Sequence, residues 1–119
     1  MGKEDKSRRQ LMLSSVIQKA LYGILASGKL YLSIPLYKFS IARVDITKDL
    51  KMASIYISSI EPSDGQKISK ELKLVSQKIR FLLSQELKLR SSPEIRFYVD
   101  EEPFYQDNLM NKINSLNQS

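Results

Sequence analysis

The chain has 119 residues, of which 19 are Lys or Arg and 13 are Asp or Glu, giving a formal net charge of +6. This length predicts one domain, residues 1–119, with a buried core, and the basic surface favours a polyanionic partner such as RNA, DNA or an anionic membrane. The absence of Cys and His excludes disulfides, thiolate metal sites and catalysis by Cys or His.

The first predicted element is an amphipathic helix from about Arg8 to Ser27, preceded by residues 1–7, which we expect to be flexible. Gly28 follows the helix at the position where glycine commonly ends one. The apolar side of this helix recurs at three- and four-residue spacing and consists of Leu13, Val16, Ile17, Ala20, Leu21, Ile24 and Leu25.

Three strands are predicted from residues with β propensity and from alternating polarity. Two segments, about 37–46 and 52–60, are rich in β-branched and aromatic residues, and the short polar segment 47–51 between them predicts an antiparallel hairpin. Apolar and polar side chains alternate again over residues 94–100, which predicts the third strand.

A long helix is predicted between the second and third strands, from Asp64 to Leu89, with Ser63 or Asp64 as its cap. Two apolar residues, Leu74 and Phe81, lie off its core side. We expect them to pack under the first helix, with a stacking surface for a base at Phe81 as the alternative. The core side itself consists of Ile68, Leu72, Val75, Ile79, Leu82 and Leu83.

The opposite side of this long helix carries charge of one sign. Its members follow at spacings of three or four: Lys70, Lys73, Gln77, Arg80, Ser84 and Lys88. Solvated helices often interleave both signs, because oppositely charged pairs one turn apart stabilise a helix. The stripe therefore favours a surface that binds along the phosphate backbone of a nucleic acid. An ordinary solvated face is the alternative.

A weaker helix is predicted near the end of the chain, from Gln106 to Leu116. The complete order indicates an α+β domain in which helices pack on one face of a three-stranded sheet.

Groups that carry chemistry are scarce. The acids at 100–102 follow a strand, where we expect them to be solvated rather than to converge on Mg²⁺ or a substrate. No glycine-rich phosphate loop is present. We therefore predict no catalytic residue, cofactor or metal site, and no enzymatic activity. No apolar run approaches the length that spans a bilayer and no signal peptide is recognisable, so we expect a cytoplasmic protein.

An ordered set of short motifs covering nearly the whole chain resembles the ribosome-binding factor A family. Its members are Arg8-Arg9, the segments 44–50 and 53–57, Ile79-Arg80, Leu83, Leu87-Lys88-Leu89-Arg90, Pro93-Glu94-Ile95-Arg96-Phe97 and Asp100. The resemblance implies a type II KH-like fold of order α-β-β-α-α-β. It also implies a non-enzymatic factor that binds immature small ribosomal subunits, supports late maturation and processing of the rRNA precursor's 5′ end, and matters in cold adaptation.

The resemblance also implies partners and contacts. The partners are the small subunit and its rRNA, with a ribosome-associated GTPase involved in release, and we expect a monomer off the ribosome. The family match selects Arg80 and Arg90, and together with the basic stripe and the N-terminal arginines it predicts RNA contacts at Arg8, Arg9, Lys70, Lys73, Gln77, Arg80, Lys88 and Arg90. A free-standing KH-like protein for single-stranded RNA, and a protein–protein module that uses the basic face, are the alternatives.

Two segments depart from the family pattern. The family usually carries an Ala-x-Gly element that kinks the long helix, and Val75-Ser76-Gln77 stands in its place here. Without glycine we expect a straighter helix, unless a kink rests on Ser76 or on packing. Residues 29–35 replace an Asp-Pro-Arg-like stretch that the family often has after the first helix.

Overall fold

A computed structural model of the protein describes residues 6–88 and 92–100. Its elements are α1 (Arg8–Ala26), a short 3₁₀ helix (Leu36–Lys38), β1 (Phe39–Ile46), β2 (Met52–Ser59), α2 (Pro62–Leu74), α3 (Ser76–Leu87) and β3 (Glu94–Val99). This order confirms the predicted α+β class and the α-β-β-α-α-β sequence of elements. The predicted helix at 106–116, Arg90, Glu101 and Glu102 lie outside the described residues.

The three strands form one mixed sheet in the order β1-β2-β3. β1 and β2 pair antiparallel, which confirms the hairpin, and β2 and β3 pair parallel. Parallel neighbours require a long crossover, because the chain must return to the same end of the sheet. α2 and α3 make this crossover and cover one face of the sheet together with α1.

Side-chain hydrogen bonds shape the hairpin turn, which has no Asn-Gly or Asp-Gly pair. The Thr47 hydroxyl donates to the Asp49 carboxylate at 2.7 Å, and the Lys51 backbone N–H donates to the same oxygen at 3.0 Å. These two bonds lower the pKa of Asp49. Leu50 adopts a left-handed backbone conformation with φ 62°, which lets the chain reverse into β2.

The core lies between the inner face of the sheet and the three helices. Its fully buried large side chains come from every layer and include Ile17, Leu21, Ile55, Ile57, Ile68, Leu72, Ile79 and Leu83. Val75 and Leu82, predicted for the core side, are only partly buried at its margin. α2 approaches β3 closely at Gly65, where an added Cβ would lie 3.1 Å from Val99 Cγ1.

A capping box begins α1. The Gln10 backbone N–H donates to Ser7 Oγ at 3.1 Å, and the Ser7 N–H donates to Gln10 Oε1 at 2.8 Å. Ser7, within the segment predicted to be flexible, is thus the N-cap of the helix. At the other end Gly28 has φ 80°, as expected for a residue just beyond a helix.

α1 also satisfies outward-facing backbone groups of β1. The Gln10 amide donates to the Ile46 carbonyl at 2.8 Å, and the Gln18 amide donates to the Ile41 carbonyl at 3.0 Å. The Ile41 N–H donates to the Tyr22 hydroxyl oxygen at 2.9 Å. Side chains of a helix therefore occupy positions along β1 that a neighbouring strand would otherwise fill.

The predicted continuous helix from Asp64 to Leu89 is wrong in two respects. Glu61 is the N-cap and Pro62 is the first helical residue, because proline needs no hydrogen-bond partner there and its φ is already helical. The helix then breaks at Val75, whose φ of −108° and ψ of 16° end α2 before α3 begins. Any residue adopts these angles at modest cost, so the break forms without glycine. Within the described ranges, no helix is long and apolar enough to cross a membrane.

Candidate nucleic-acid interface

The exposed side of α2 carries a row of lysines, Lys67, Lys70 and Lys73, which we call the lysine row. The burial of Ile68 and Leu72 turns this side outward. Spacings of three place successive lysines about one turn apart along the helix. No salt bridge to these lysines occurs among residues 6–88 and 92–100, so their charges remain available to an anionic partner.

Lys67 was not among the predicted contacts, although its spacing from Lys70 places it in the same row. The break at Val75 has a second effect on the prediction. It divides the predicted stripe between two helices, with Lys70 and Lys73 on α2 and the remaining members on or after α3. Gln77 and Lys88 are exposed, and Lys88 ends α3 in a left-handed conformation with φ 53°.

Arg80 is half-buried and makes a structural contact. Its Nη2 donates to the Ser92 carbonyl at 3.0 Å, which links α3 to the residues that precede β3. A guanidinium has five N–H groups, so this one bond leaves donors for a second partner. Arg80 thus makes a hydrogen bond within the fold in addition to its predicted contact with RNA.

Leu74 and Phe81 are exposed by 82% and 59%, so the prediction that both pack in the core is wrong. Each lies two residues after a buried side chain, Leu72 and Ile79 respectively, and two residues turn a helix by about 200°. Their place is therefore the solvent side of α2 and of α3 respectively.

Arg8 and Arg9 are exposed in the first turn of α1, where the structure describes no acidic residue. The positive end of the helix dipole lies there, and each cation is destabilising by about 0.3–1 kcal/mol through the helix dipole. The RNA contact expected at these arginines stays a prediction.

The family profile described as ribosome-binding factor A matches residues 9–113, which is most of the chain. The chain belongs to the ribosome-binding factor A family. A ribosome-binding factor A from Flavobacterium psychrophilum is 30% identical over 110 residues, covering 91% of this chain and 85% of the relative. One from Clostridium perfringens is 37% identical over 79 residues, covering 62% of this chain and 68% of the relative.

Solved structures agree with this placement. The solution structure of a Thermotoga maritima protein assigned to ribosome binding factor A has a TM-score of 0.70 at 28% identity, covering 82% of this chain and 92% of that one. The crystal structure of the Thermus thermophilus factor has a TM-score of 0.58 at 16% identity, covering 76% and 94%. This second likeness supports the KH-like fold alone. Ribosome-binding factor A proteins are non-enzymatic assembly factors, in agreement with the prediction from the sequence.

The open face of this family member's sheet holds a row that the sequence did not reveal. Register places Arg43 beside Tyr56 and Tyr56 beside Tyr98. The Arg43 guanidinium carbon lies 3.9 Å from the centroid of the Tyr56 ring, and the two tyrosine rings stack with centroids 5.4 Å apart. Only the register of three strands brings these residues together, so no sequence motif marks the row.

Arg43 also binds Asp100, at 3.0 Å between Nη1 and Oδ1. Asp100 is 8% exposed, so the prediction that this acid is solvated is wrong. A cavity of about 290 Å³ near the start of α1 contains one acid, Asp45, which forms ion pairs with Arg43 and Lys6. Within the described part of the chain, no three acidic, His or Cys residues converge on a point that could hold a metal ion.

Proposed function

We propose that this protein binds the small ribosomal subunit in the cytoplasm and supports its late maturation, including processing of the 5′ end of the rRNA precursor. Membership of the ribosome-binding factor A family supports the proposal. A further structural relative is a Thermus thermophilus ribosome binding factor A fitted into a cryo-EM map of a 30S complex, with a TM-score of 0.55 at 16% identity, covering 82% of this chain and 97% of that one. The observation that carries the proposal is the lysine row on α2, which forms no salt bridge among the described residues.

Binding on this proposal is mainly electrostatic. Lysine ammonium groups approach backbone phosphates and release condensed counterions, which drives association without reading sequence. We assign the rRNA contacts to Arg8, Arg9, Lys70, Lys73, Gln77, Arg80, Lys88 and Arg90. The protein acts as a monomer off the ribosome, and a ribosome-associated GTPase supplies the energy for its release.

Co-sedimentation with precursor small subunits at increasing salt tests the proposal. Each phosphate contact contributes about 0.9 to the slope of log affinity against log salt, so replacing Lys70 and Lys73 by Gln lowers the slope by roughly 2. Arg96→Gln is the control, because Arg96 lies on the sheet face opposite the helices and pairs with Glu94. We expect this variant to bind as the wild type does.

A deletion strain provides the second measurement, and we expect it to accumulate small-subunit rRNA with an unprocessed 5′ end. Normal rRNA processing together with no co-sedimentation refutes the proposal.

The exposed Phe81 favours one alternative, a free-standing protein for single-stranded RNA, because an aromatic ring beside basic residues can stack on a base. That alternative predicts tight binding of short oligonucleotides and no association with subunits. A protein–protein module predicts instead that Lys73→Glu with Arg80→Glu disrupts a protein complex and leaves RNA binding unchanged.

A further inference from the structure

The connector between α1 and the 3₁₀ helix is fastened to α2 by one residue pair. The Ser33 backbone N–H donates to Glu71 Oε1 at 2.9 Å, and the Ser33 hydroxyl donates to the other carboxylate oxygen. Both bonds lower the pKa of Glu71, which is therefore ionised and committed to the connector. Glu71 lies between the lysines of α2 in sequence. Its carboxylate is bound to the connector and forms no salt bridge with these lysines.

Burial alternates along this connector. Leu30 and Ile34 are buried in the core, whereas Tyr31 is 90% exposed. Two residues of extended chain span at most about 7 Å, so the Tyr31 Cα lies within that distance of the Ser33 Cα. Tyr31 thus projects from a segment anchored in the core on both sides and bound to α2 beside it.

Two residues of α2 complete the surface around Glu71. Lys67 lies one turn before it, close enough for its charge to help lower the pKa of Glu71. Leu74 lies about one turn after it and is the most exposed large apolar residue of the described helices. We call Tyr31, Lys67 and Leu74 the connector patch; Lys70 and Lys73 continue it along α2.

We infer that the connector patch binds an unpaired nucleotide of RNA. The base stacks on the Tyr31 ring against Leu74, and the flanking phosphates lie at Lys67 and Lys70. Aromatic side chains stack on splayed bases of single strands, loops and bulges, whereas bases inside a duplex are closed to them. Positive charge at Lys67 and Lys70, with the Glu71 carboxylate already bound by Ser33, favours RNA over a protein partner. The inference rests on the proposed function and deepens it by requiring a single-stranded element in the bound rRNA.

Binding of a labelled twelve-nucleotide oligouridine to the full-length protein tests the patch, with a blunt RNA duplex of the same length beside it. Tyr31→Ala should weaken binding of the single strand by about 5- to 150-fold, the range of one base stack. Its salt dependence should not change, because no charge is lost. Tyr31→Phe keeps the ring and should bind the single strand as the wild type does, and duplex binding should be equal in all three proteins.

Tyr37→Ala is the matched control. Tyr37 is 77% exposed, but it lies in the 3₁₀ helix, next to Lys38, whose carbonyl accepts from the Ile60 N–H at 3.0 Å. Ile60 lies just before the start of α2 at Pro62, whereas Glu71 lies nine residues after Pro62. The 3₁₀ helix that carries Tyr37 is therefore bonded to the chain near the start of α2 and not beside Glu71. An unchanged affinity of Tyr37→Ala, against a loss for Tyr31→Ala, is the expected result.

Glu71→Ala separates the patch from simple electrostatics. Removing a negative charge beside the lysine row should tighten binding of any polyanion if charge alone acts. The connector patch predicts the opposite, because loss of both Ser33 hydrogen bonds frees Tyr31 and weakens binding of the single strand several-fold. Tighter binding by Glu71→Ala overturns the inference.

Two further results separate this inference from the proposed function. If the wild type binds small subunits but Tyr31→Ala binds the oligonucleotide within twofold of the wild type, or the wild type does not bind it, the inference alone is overturned. If the wild type binds no small subunit, the proposed function is overturned.

Discussion

Gly65 is the position where a single methyl group should have the clearest effect on stability. It is buried in the first turns of α2, and an added Cβ would lie 3.1 Å from Val99 Cγ1 and 3.4 Å from Ser59 Oγ. Carbon atoms prefer a separation of about 3.5–4.0 Å, so Val99 must move by roughly half an ångström. Val99 is β-branched and pairs with Ile57 in the sheet, which leaves it little freedom to move.

Two opposing effects decide whether Gly65→Ala raises or lowers the free energy of unfolding. Alanine is more favourable than glycine in a helix interior by about 0.8–1 kcal/mol. Overpacking a well-filled core is destabilising by about 1–3 kcal/mol. We therefore expect Gly65→Ala to lower the free energy of unfolding by about 0.5–2 kcal/mol, because the crowding exceeds the gain in propensity.

Gly23→Ala is the matched control, since Gly23 is an exposed helical residue of α1 with no atom within 4 Å of an added Cβ. This variant gains the higher helix propensity of alanine, and its Cβ crowds no neighbouring atom. It should therefore raise the free energy of unfolding by about 0.5–1 kcal/mol. Urea unfolding measures both variants. In a double-mutant cycle, the destabilisation by Gly65→Ala should be smaller in the Val99→Ala background, with a coupling free energy of about 1 kcal/mol or more. Equal stabilisation by the two alanines would refute the crowding argument.

Three further predictions concern contacts outside the core. Ser7→Ala removes the capping box and should lower the free energy of unfolding by about 0.5–2 kcal/mol in urea, whereas Ser7→Asp should retain most of it. Arg43→Ala removes the ion pair to the buried Asp100 and should lower the free energy of unfolding by about 1–3 kcal/mol, with a smaller loss for Arg43→Lys, which keeps the charge; equal losses would contradict a contribution of that charge. Asp49 has a lowered pKa in the folded state, so its contribution exists above its unfolded pKa and is lost as pH falls. The stability difference between wild type and Asp49→Asn should shrink below about pH 4, and a difference constant with pH would refute this.

The periodicity of apolar residues predicted most helices and strands, because each buries one side and that side is visible in the spacing of apolar residues along the sequence. The hairpin and the helix over Arg8–Ala26 followed from that spacing. The break at Val75 did not, because its backbone angles suit most residues and no glycine or proline marks it. Packing of α2 and α3 against the sheet determines the break, and packing of this kind is not local.

The candidate surface was predictable in its charge but not in its apolar part. Lys70 and Lys73 could be placed on the outer side of a helix from spacing alone. The bond between Ser33 and Glu71 joins residues 38 positions apart and leaves no local pattern. The exposure of Tyr31 and the burial of Asp100 likewise depend on neighbours that only the fold supplies.

The contact of α1 with β1 has a consequence for behaviour in a crowded cell. Free strand edges recruit strands of other molecules, which is a common start of aggregation. Here two glutamine amides and one tyrosine hydroxyl occupy backbone groups along β1. Substitution of Gln18, which takes no part in the capping box, by an apolar residue should therefore impair solubility at high concentration more than it impairs folding. These polar side chains act as a safeguard against unwanted self-association.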